Sequence, residues 1–156
     1  MMSRNCALLF VLLNTPFAAN SAPVSWSLVG EWQVQNANDG AHPRASGWRG
    51  LKVPANWYSA GYDHQGALWY KHAFTLPVQP PDVMSTLVLD GADYLADVTL
   101  NGQPLGKHAG YSQRFSLDST AALQRHNQFV AWVDSPHQHP HTTWPLHNTV
   151  MKRILN

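Results

Sequence analysis

The chain has 156 residues, with 10 basic and 9 acidic side chains. This length allows one domain of ordinary size and excludes two sizeable ones. The near balance of charge argues against nucleic acid or an anionic membrane surface as a partner, because both would favour a basic excess.

The first 21 residues differ from the rest in composition. Arg4 precedes an unbroken apolar run over residues 6–13, and small residues follow at 18–22. This order is typical of a secretory signal, and the apolar run is far shorter than the roughly 20 residues that span a bilayer. We predict cleavage after Ser21, which leaves residues 22–156 as one domain. The alternative is an uncleaved membrane anchor.

Cleavage at this point would leave a neutral chain without cysteine. Removal of Arg4 leaves nine basic and nine acidic side chains, and Cys6 is the only cysteine in the sequence. A chain without cysteine fits export, although no disulfide would then hold the domain together. We expect an exported protein, periplasmic or secreted, with no membrane partner after cleavage.

Beyond the leader, the sequence predicts β-structure in chain order. Short runs of β-branched, aromatic and aliphatic residues alternate with turn residues. The predicted strands are 28–34, 51–53, 67–76, 86–89, 94–100, 114–117 and 128–133. Apolar side chains alternate along residues 96–100 and 129–133, as in half-buried strands. Residues 118–123 could form one helical turn capped by Asp118. Short strands at about 8 to 15 residue spacing predict an antiparallel sandwich or jelly roll.

The clearest local signal is a tight turn at Asn101-Gly102 that joins a strand to a second, short strand. Both residues tolerate positive φ, which a two-residue hairpin turn requires. Gly106 and Gly110 would let the chain pass close to a neighbouring strand. Lys107 and His108 could hold a ligand or could belong to the scaffold of the hairpin.

Seven tryptophans are many for this length. Trp32, Trp69 and Trp132 lie in predicted strands, where packing is the expected role. Trp57 and Trp144 lie in loops flanked by proline. A loop aromatic beside small polar groups can stack on a sugar ring, or it can cover the end of a sandwich, and both interpretations remain open.

Three histidines at alternate positions, His137, His139 and His141, would point the same way in an extended segment. A zinc, copper or nickel site is therefore conceivable. No second group of ligands at fixed spacing accompanies them, so a solvated histidine-rich loop is favoured and no metal is predicted.

The carboxylates argue against an autonomous glycosidase. Hydrolysis of a glycosidic bond usually needs two of them, roughly 5 to 9.5 Å apart. Asp93 and Asp97 would share a strand face but lie roughly 13 Å apart, and Glu31 is the only glutamate. A pair assembled by the fold, such as Asp63 with Asp134, remains open. We predict neither catalytic residues nor a cofactor.

The order of several motifs resembles a known family. The motifs are Val29-Gly30-Glu31-Trp32, residues 53–57, 66–77, 89–102, 105–111, 115–118 and 127–133, and Asp134-Ser135-Pro136. Together they resemble the N-terminal sugar-binding domain of glycoside hydrolase family 2, the family of β-galactosidases, β-mannosidases and β-glucuronidases. The resemblance covers nearly all of residues 28–155.

The resemblance implies a jelly-roll β-sandwich of the galactose-binding-domain type. In the family this domain precedes an immunoglobulin-like domain and a (β/α)₈ barrel, and the barrel carries the two catalytic glutamates. A barrel alone takes roughly 250 residues, so neither later domain is expected here. Glu31 matches the non-catalytic opening motif. We therefore expect no hydrolysis by the isolated chain.

In members of the family, a loop of this domain also forms part of the mouth of the barrel's active site. Here that loop corresponds to residues 134–144, which makes Asp134 and Trp144 the foremost implied sugar contacts. His137, His139 and Trp57 are further candidates. Lys71-His72 stand where the family usually has arginines.

Three functions follow as expectations. The first is an accessory β-sandwich, truncated or split from a β-glycosidase, whose partner is a barrel domain or subunit. The second is a free-standing carbohydrate-binding module for a β-linked glycoside. The third is a structural or interaction domain without sugar binding.

Overall fold

The computed structural model describes residues 24–37, 42–57, 60–62, 66–77, 84–111, 113–135 and 153–155. All regular secondary structure in this part of the chain is β. The strands are β1 Ser25–Ser27, β2 Gly30–Asn36, β3 Arg49–Val53, β4 Gly66–Thr75, β5 Thr86–Leu89, β6 Leu95–Leu100, β7 Gln103–Ala109, β8 Phe115–Asp118, β9 His126–Ser135 and β10 Arg153–Leu155.

The strands form two antiparallel sheets. The larger has the order β3-β2-β4-β9-β6-β7, and the smaller has the order β1-β10-β5-β8. The longest pairing joins β4 to β9, two ten-residue strands that lie far apart in the chain. The predicted all-β sandwich is confirmed, and its arrangement is consistent with a jelly roll. The described residues include no helix long and apolar enough to cross a membrane.

Each predicted strand is present, and the differences lie at the strand ends. Residues 28–34 were expected to form the first strand, but β2 begins and ends two residues later than that. The strand after the tight turn, β7, reaches seven residues although it contains Pro104 and Gly106. The three-residue strands β1 and β10 have no sequence signal of their own and pair with each other.

The core lies between the two sheets. Trp32, Tyr70 and Phe129 from the larger sheet are each at most 1% exposed. Trp32 stacks on His72 at a centroid distance of 4.5 Å and meets Phe129 edge-on at 5.2 Å. The predicted alternation is confirmed in β6 and β9, where every second side chain is buried. Burial of these rings supplies much of the stability of the sandwich.

The tight turn between β6 and β7 is confirmed at Asn101 and Gly102, whose φ angles are 52° and 78°. A register shift opposite Val98 and Thr99 follows in β7. At Gly106, φ is 150°, and a Cβ there would lie 3.1 Å from Leu117 Cδ2. The predicted close passage of the chain is therefore confirmed at Gly106.

The chain makes one hydrogen-bonded turn after β8. The Leu123 amide donates to the Ser119 carbonyl at 2.8 Å, and the Thr120 amide donates to Asp118 Oδ1 at 2.9 Å. Hydrogen bonds from the Thr120 side chain and the Thr120 amide lower the pKa of the Asp118 carboxyl from its ordinary value. Asp118 thus caps the turn as the sequence predicted.

Candidate functional site

Asp134 is the predicted sugar contact that the structure describes within the larger sheet. It is the penultimate residue of β9, between Ala67 of β4 and Leu95 of β6. Its side chain is half-buried and, by alternation with the buried Val133, lies on the outer face of the sheet. Its carbonyl accepts a hydrogen bond from the Tyr94 amide at 2.8 Å. Asp134 therefore sits where β9 reaches one end of the sheet.

Two tyrosines lie at this end of the sheet. The rings of Tyr94 and Tyr111 are 4.6 Å apart between centroids, at an angle of 40°. The Gly110 amide donates to the Tyr94 carbonyl at 2.9 Å, which fixes Tyr111 beside its partner. Tyr111 is 52% exposed. We call Asp134, Tyr94 and Tyr111 the Asp134 end.

Sequence reasoning did not single out these tyrosines. The available signal was the position of Tyr94 at the start of a predicted strand and of Tyr111 shortly after the second strand of the hairpin. In an antiparallel hairpin these two places meet at the same end. The pairing of β6 with β9 then brings Asp134 to that end, and only the long-range register reveals it.

Trp69 and Trp132 lie side by side on the outer face near Asp134. They are directly paired across β4 and β9, and both are half-buried. Trp132 is two residues from Asp134 on the same strand, so both side chains face outward. Among the described residues the buried indole N–H of Trp69 has no hydrogen-bond acceptor. Trp69 and Trp132 therefore pack on the outer face of the sheet, whereas Trp32 packs in the core.

Trp57 is completely buried and belongs to the core cluster. Its carbonyl accepts a hydrogen bond from the Tyr62 amide at 2.8 Å. The ring offers no free face for a sugar in this structure. Of the two interpretations of Trp57, the location favours the one in which it covers the end of the sandwich.

The remaining predicted contacts lie outside the described residues. These are Trp144, His137 and His139, together with His141 of the metal alternative and Asp63 of the carboxylate alternative. Their roles stay predictions. In the part of the chain that the structure describes, no group of three histidine, cysteine, aspartate or glutamate side chains could hold a metal ion.

Lys107 and His108 are both engaged by neighbouring strands. Lys107 Nζ lies 2.8 Å from Asp97 Oδ2, its cross-strand neighbour. The His108 ring stacks on Phe115 with 3.9 Å between centroids and 7° between planes. These contacts favour the scaffold interpretation over ligand binding.

Asp93 and Asp97 occupy different environments. The sequence placed both on one face of a strand, but β6 begins only at Leu95. Asp93 precedes the strand and is 3% exposed, whereas Asp97 lies on the outer face and pairs with Lys107. The expectation of a shared strand face is not met, because the strand starts later than predicted.

Comparison of folds finds similar solved structures, although no family model and no curated protein matches the sequence. A β-glucuronidase from Bifidobacterium dentium is 28% identical over 74% of this chain and 21% of that chain, with a TM-score of 0.63. One from Bacteroides uniformis is 22% identical over 86% of this chain and 18% of its own, with a TM-score of 0.67. One from Faecalibacterium prausnitzii is 21% identical over 87% of this chain and 31% of its own, with a TM-score of 0.64.

These structural neighbours are all β-glucuronidases, and the match covers only part of each. The chain spans between 18% and 31% of their length. Below 25% identity the likeness concerns the fold alone. The likeness agrees with a domain related to glycoside hydrolase family 2.

Proposed function

We propose that the chain is the non-catalytic N-terminal β-sandwich of a family 2 β-glycosidase and helps to form the mouth through which a β-linked glycoside reaches a catalytic barrel. The observation that carries the proposal is the asymmetry of the structural match. It covers 74% of this chain but 21% of the B. dentium β-glucuronidase. A sandwich of this fold thus corresponds to one part of a larger enzyme.

The chemistry of the Asp134 end suits contact with a sugar. A carboxylate accepts hydrogen bonds from sugar hydroxyls, and a tyrosine offers a ring face for the C–H side of a pyranose together with a phenolic hydroxyl. Asp134 is half-buried and Tyr111 is half-exposed, so both kinds of group reach the same end of the sheet. A few convergent polar groups beside aromatic surface are typical of small-ligand sites.

An accessory role needs a site that a partner can close, and the 52% exposure of Tyr111 supports this. An isolated sandwich would hold a glycoside weakly, because an open surface buries little of the ligand. Closure by a barrel domain or subunit would complete the mouth. The catalytic acid and nucleophile would come from that partner, since hydrolysis usually uses two carboxylates roughly 5 to 9.5 Å apart.

The test is an NMR titration of the ¹⁵N-labelled chain with 4-nitrophenyl β-D-glucuronide. We expect the amide signals of Tyr94, Tyr111 and Asp134 to shift, and Asp134→Ala to weaken the apparent affinity about tenfold, as loss of a charged hydrogen bond implies. Asp118→Ala, which removes an exposed carboxylate from the smaller sheet, is the matched control. Equal affinity of wild type and Asp134→Ala would reject the assigned contact.

A free-standing carbohydrate-binding module is the second candidate, favoured by the 52% exposure of Tyr111. A module should retain polysaccharide without any other domain. Sedimentation of the chain with an insoluble β-glucan, reversed by Tyr111→Ala, would support this second role. Recovery of all the protein in the supernatant would favour the accessory role.

A further inference from the structure

A groove lies on the outer face of the larger sheet, away from the Asp134 end. Its volume is about 570 Å³, within the range of about 300 to 1,000 Å³ typical of ligand sites. The residues that line it come from four neighbouring strands: Glu31, Trp32, Gln33, Gly50, Lys71, His72, Ala73 and Gln128. Gln128 is six residues from Asp134 along β9, about 20 Å in an extended strand.

The register of the strands explains the hollow. Gly50 pairs with Gln33 across β3 and β2, and Ala73 pairs with Gln128 across β4 and β9. Two small residues therefore lie among long polar ones on the same face. A Cβ at Gly50 would meet no atom within 4 Å, so the space above the backbone is open. The groove is thus shaped by side-chain size.

A buried glutamine holds the segment that carries Trp48, which lies beside the groove against Lys71. Gln35 is 6% exposed although it lies on the outer face of β2. Its Oε1 accepts from the Arg44 amide at 2.6 Å, and its Nε2 donates to the Ser46 carbonyl. The Trp48 indole N–H donates to the Arg44 carbonyl at 3.0 Å. These bonds fix the segment that carries Trp48 before any ligand arrives.

The lining of the groove carries one lysine, Lys71, and one carboxylate, Glu31. Lys71 Nζ lies 4.1 Å from the centroid of the Trp48 ring, and the residue is half-buried. No carboxylate among the described residues forms an ion pair with it. Glu31, the acidic residue of the groove, faces Lys52 in cross-strand register. The ammonium group of Lys71 therefore keeps hydrogen-bond donors for an anionic ligand.

We propose that this groove binds an acidic oligosaccharide. Lys71 receives the carboxylate of a uronic acid, the amides of Gln33 and Gln128 bond sugar hydroxyls, and Trp48 packs against a ring. Aromatic surface, side-chain amides and a single cation together match a sugar that carries both hydroxyls and a carboxylate. This site is separate from the Asp134 end and does not depend on the proposed accessory function.

The test titrates the ¹⁵N-labelled chain with a tetrasaccharide of alternating glucuronic acid and N-acetylglucosamine, and in parallel with neutral cellotetraose. We expect shifts for Gln33, Lys71 and Gln128, and an affinity at least about tenfold higher for the acidic ligand, since removing one charged contact has about that effect. Absence of shifts in the groove, or equal affinity for the neutral ligand, would overturn the proposal.

Two variants locate the binding. Gly50→Leu should fill the open space and reduce the affinity at least about tenfold, whereas Ser116→Leu, an exposed strand position on the smaller sheet, should leave it unchanged. Lys71→Gln should remove the preference for the acidic ligand even if Gly50→Leu fails to fold. Retained affinity in either groove variant contradicts the proposal. Asp134→Ala should not alter binding in the groove. The groove proposal can therefore be rejected independently of the sugar contact proposed at the Asp134 end.

Discussion

At the scale of single residues, Asn101 links the hairpin to the strand beside it. Its Nδ2 donates to the Ala122 carbonyl at 2.8 Å and to Asn127 Oδ1 at 3.0 Å, and its Oδ1 accepts from the Gln128 amide at 2.7 Å. The sequence predicts the turn from two adjacent residues. It cannot predict the three bonds, because their partners lie 21 to 27 positions away.

We predict that Asn101→Gly lowers the free energy of unfolding by about 2 to 3 kcal/mol through loss of these bonds. Asn101→Ala should cost about 1 kcal/mol more, because φ of 52° suits glycine but not alanine. Urea denaturation measures both changes. Gln103→Ala, at an exposed position two residues further on, is the control and should stay within about 0.5 kcal/mol. If Asn101→Gly unfolded at the same urea concentration as the wild type, the three hydrogen bonds of Asn101 would contribute nothing to stability.

His72 should make stability depend on pH. Burial lowers its pKa below the ordinary value of 6.5, partly offset by the hydrogen bond that Nδ1 donates to the Glu31 carbonyl at 3.2 Å. The unfolded chain therefore binds a proton at a pH where the folded chain does not, so stability falls as the pH drops through about 6.5. Partial exposure keeps the effect small.

The measurement is the free energy of unfolding between pH 8 and pH 5 for wild type and His72→Phe. The phenylalanine keeps an aromatic ring against Trp32 without a titrating group. We expect the wild type to lose more stability on acidification than the variant. If the free energies of unfolding of the two proteins changed in parallel with pH, His72 would not contribute to the pH dependence.

At the scale of elements, the sequence predicts strands well where side chains alternate and poorly where distant segments determine burial. The alternation along β6 and β9 follows directly from apolar periodicity. Gln35, by contrast, reads as an exposed position of β2 and is buried because residues 44–46 fold over it. Likewise, Asp134 was predicted from the family resemblance, but the tyrosines beside it depend on strand register.

We predict that Gln35→Ala detaches the segment carrying Trp48 from the sheet. Loss of two bonds to a buried side chain should cost about 1 to 3 kcal/mol and leave the Arg44 amide unprotected. Hydrogen exchange followed by NMR measures the protection of that amide. Gln33→Ala, an exposed position on the same strand, should leave Arg44 exchange unchanged. Slow exchange of Arg44 in Gln35→Ala would refute this anchoring role.

At the scale of the whole molecule, the chain has the fold of a part of β-glucuronidases, and its two candidate surfaces lie on one sheet. The Asp134 end lies where β9 finishes, and the groove lies nearer where β9 begins. The fold class and the approximate positions of most strands were accessible from the sequence through periodicity and resemblance. The groove was not, because Gly50, Lys71 and Gln128 meet only through the pairing of four strands.

Export is a further prediction at this scale. Expression of the full chain with its leader in a secreting bacterial host should yield a mature protein that begins at Ala22, because small residues precede that position. Mass spectrometry of the periplasmic or secreted fraction determines the terminus. A protein that retains Met1 and sediments with membranes would instead support the anchor alternative.

The most direct test of the central claim is release of 4-nitrophenolate from millimolar 4-nitrophenyl β-D-glucuronide by the pure chain. The account predicts no release above that in buffer, because in the proposed function the sandwich only contacts the sugar and a partner supplies the catalytic carboxylates. Turnover above that level, abolished by Asp134→Asn, would contradict it.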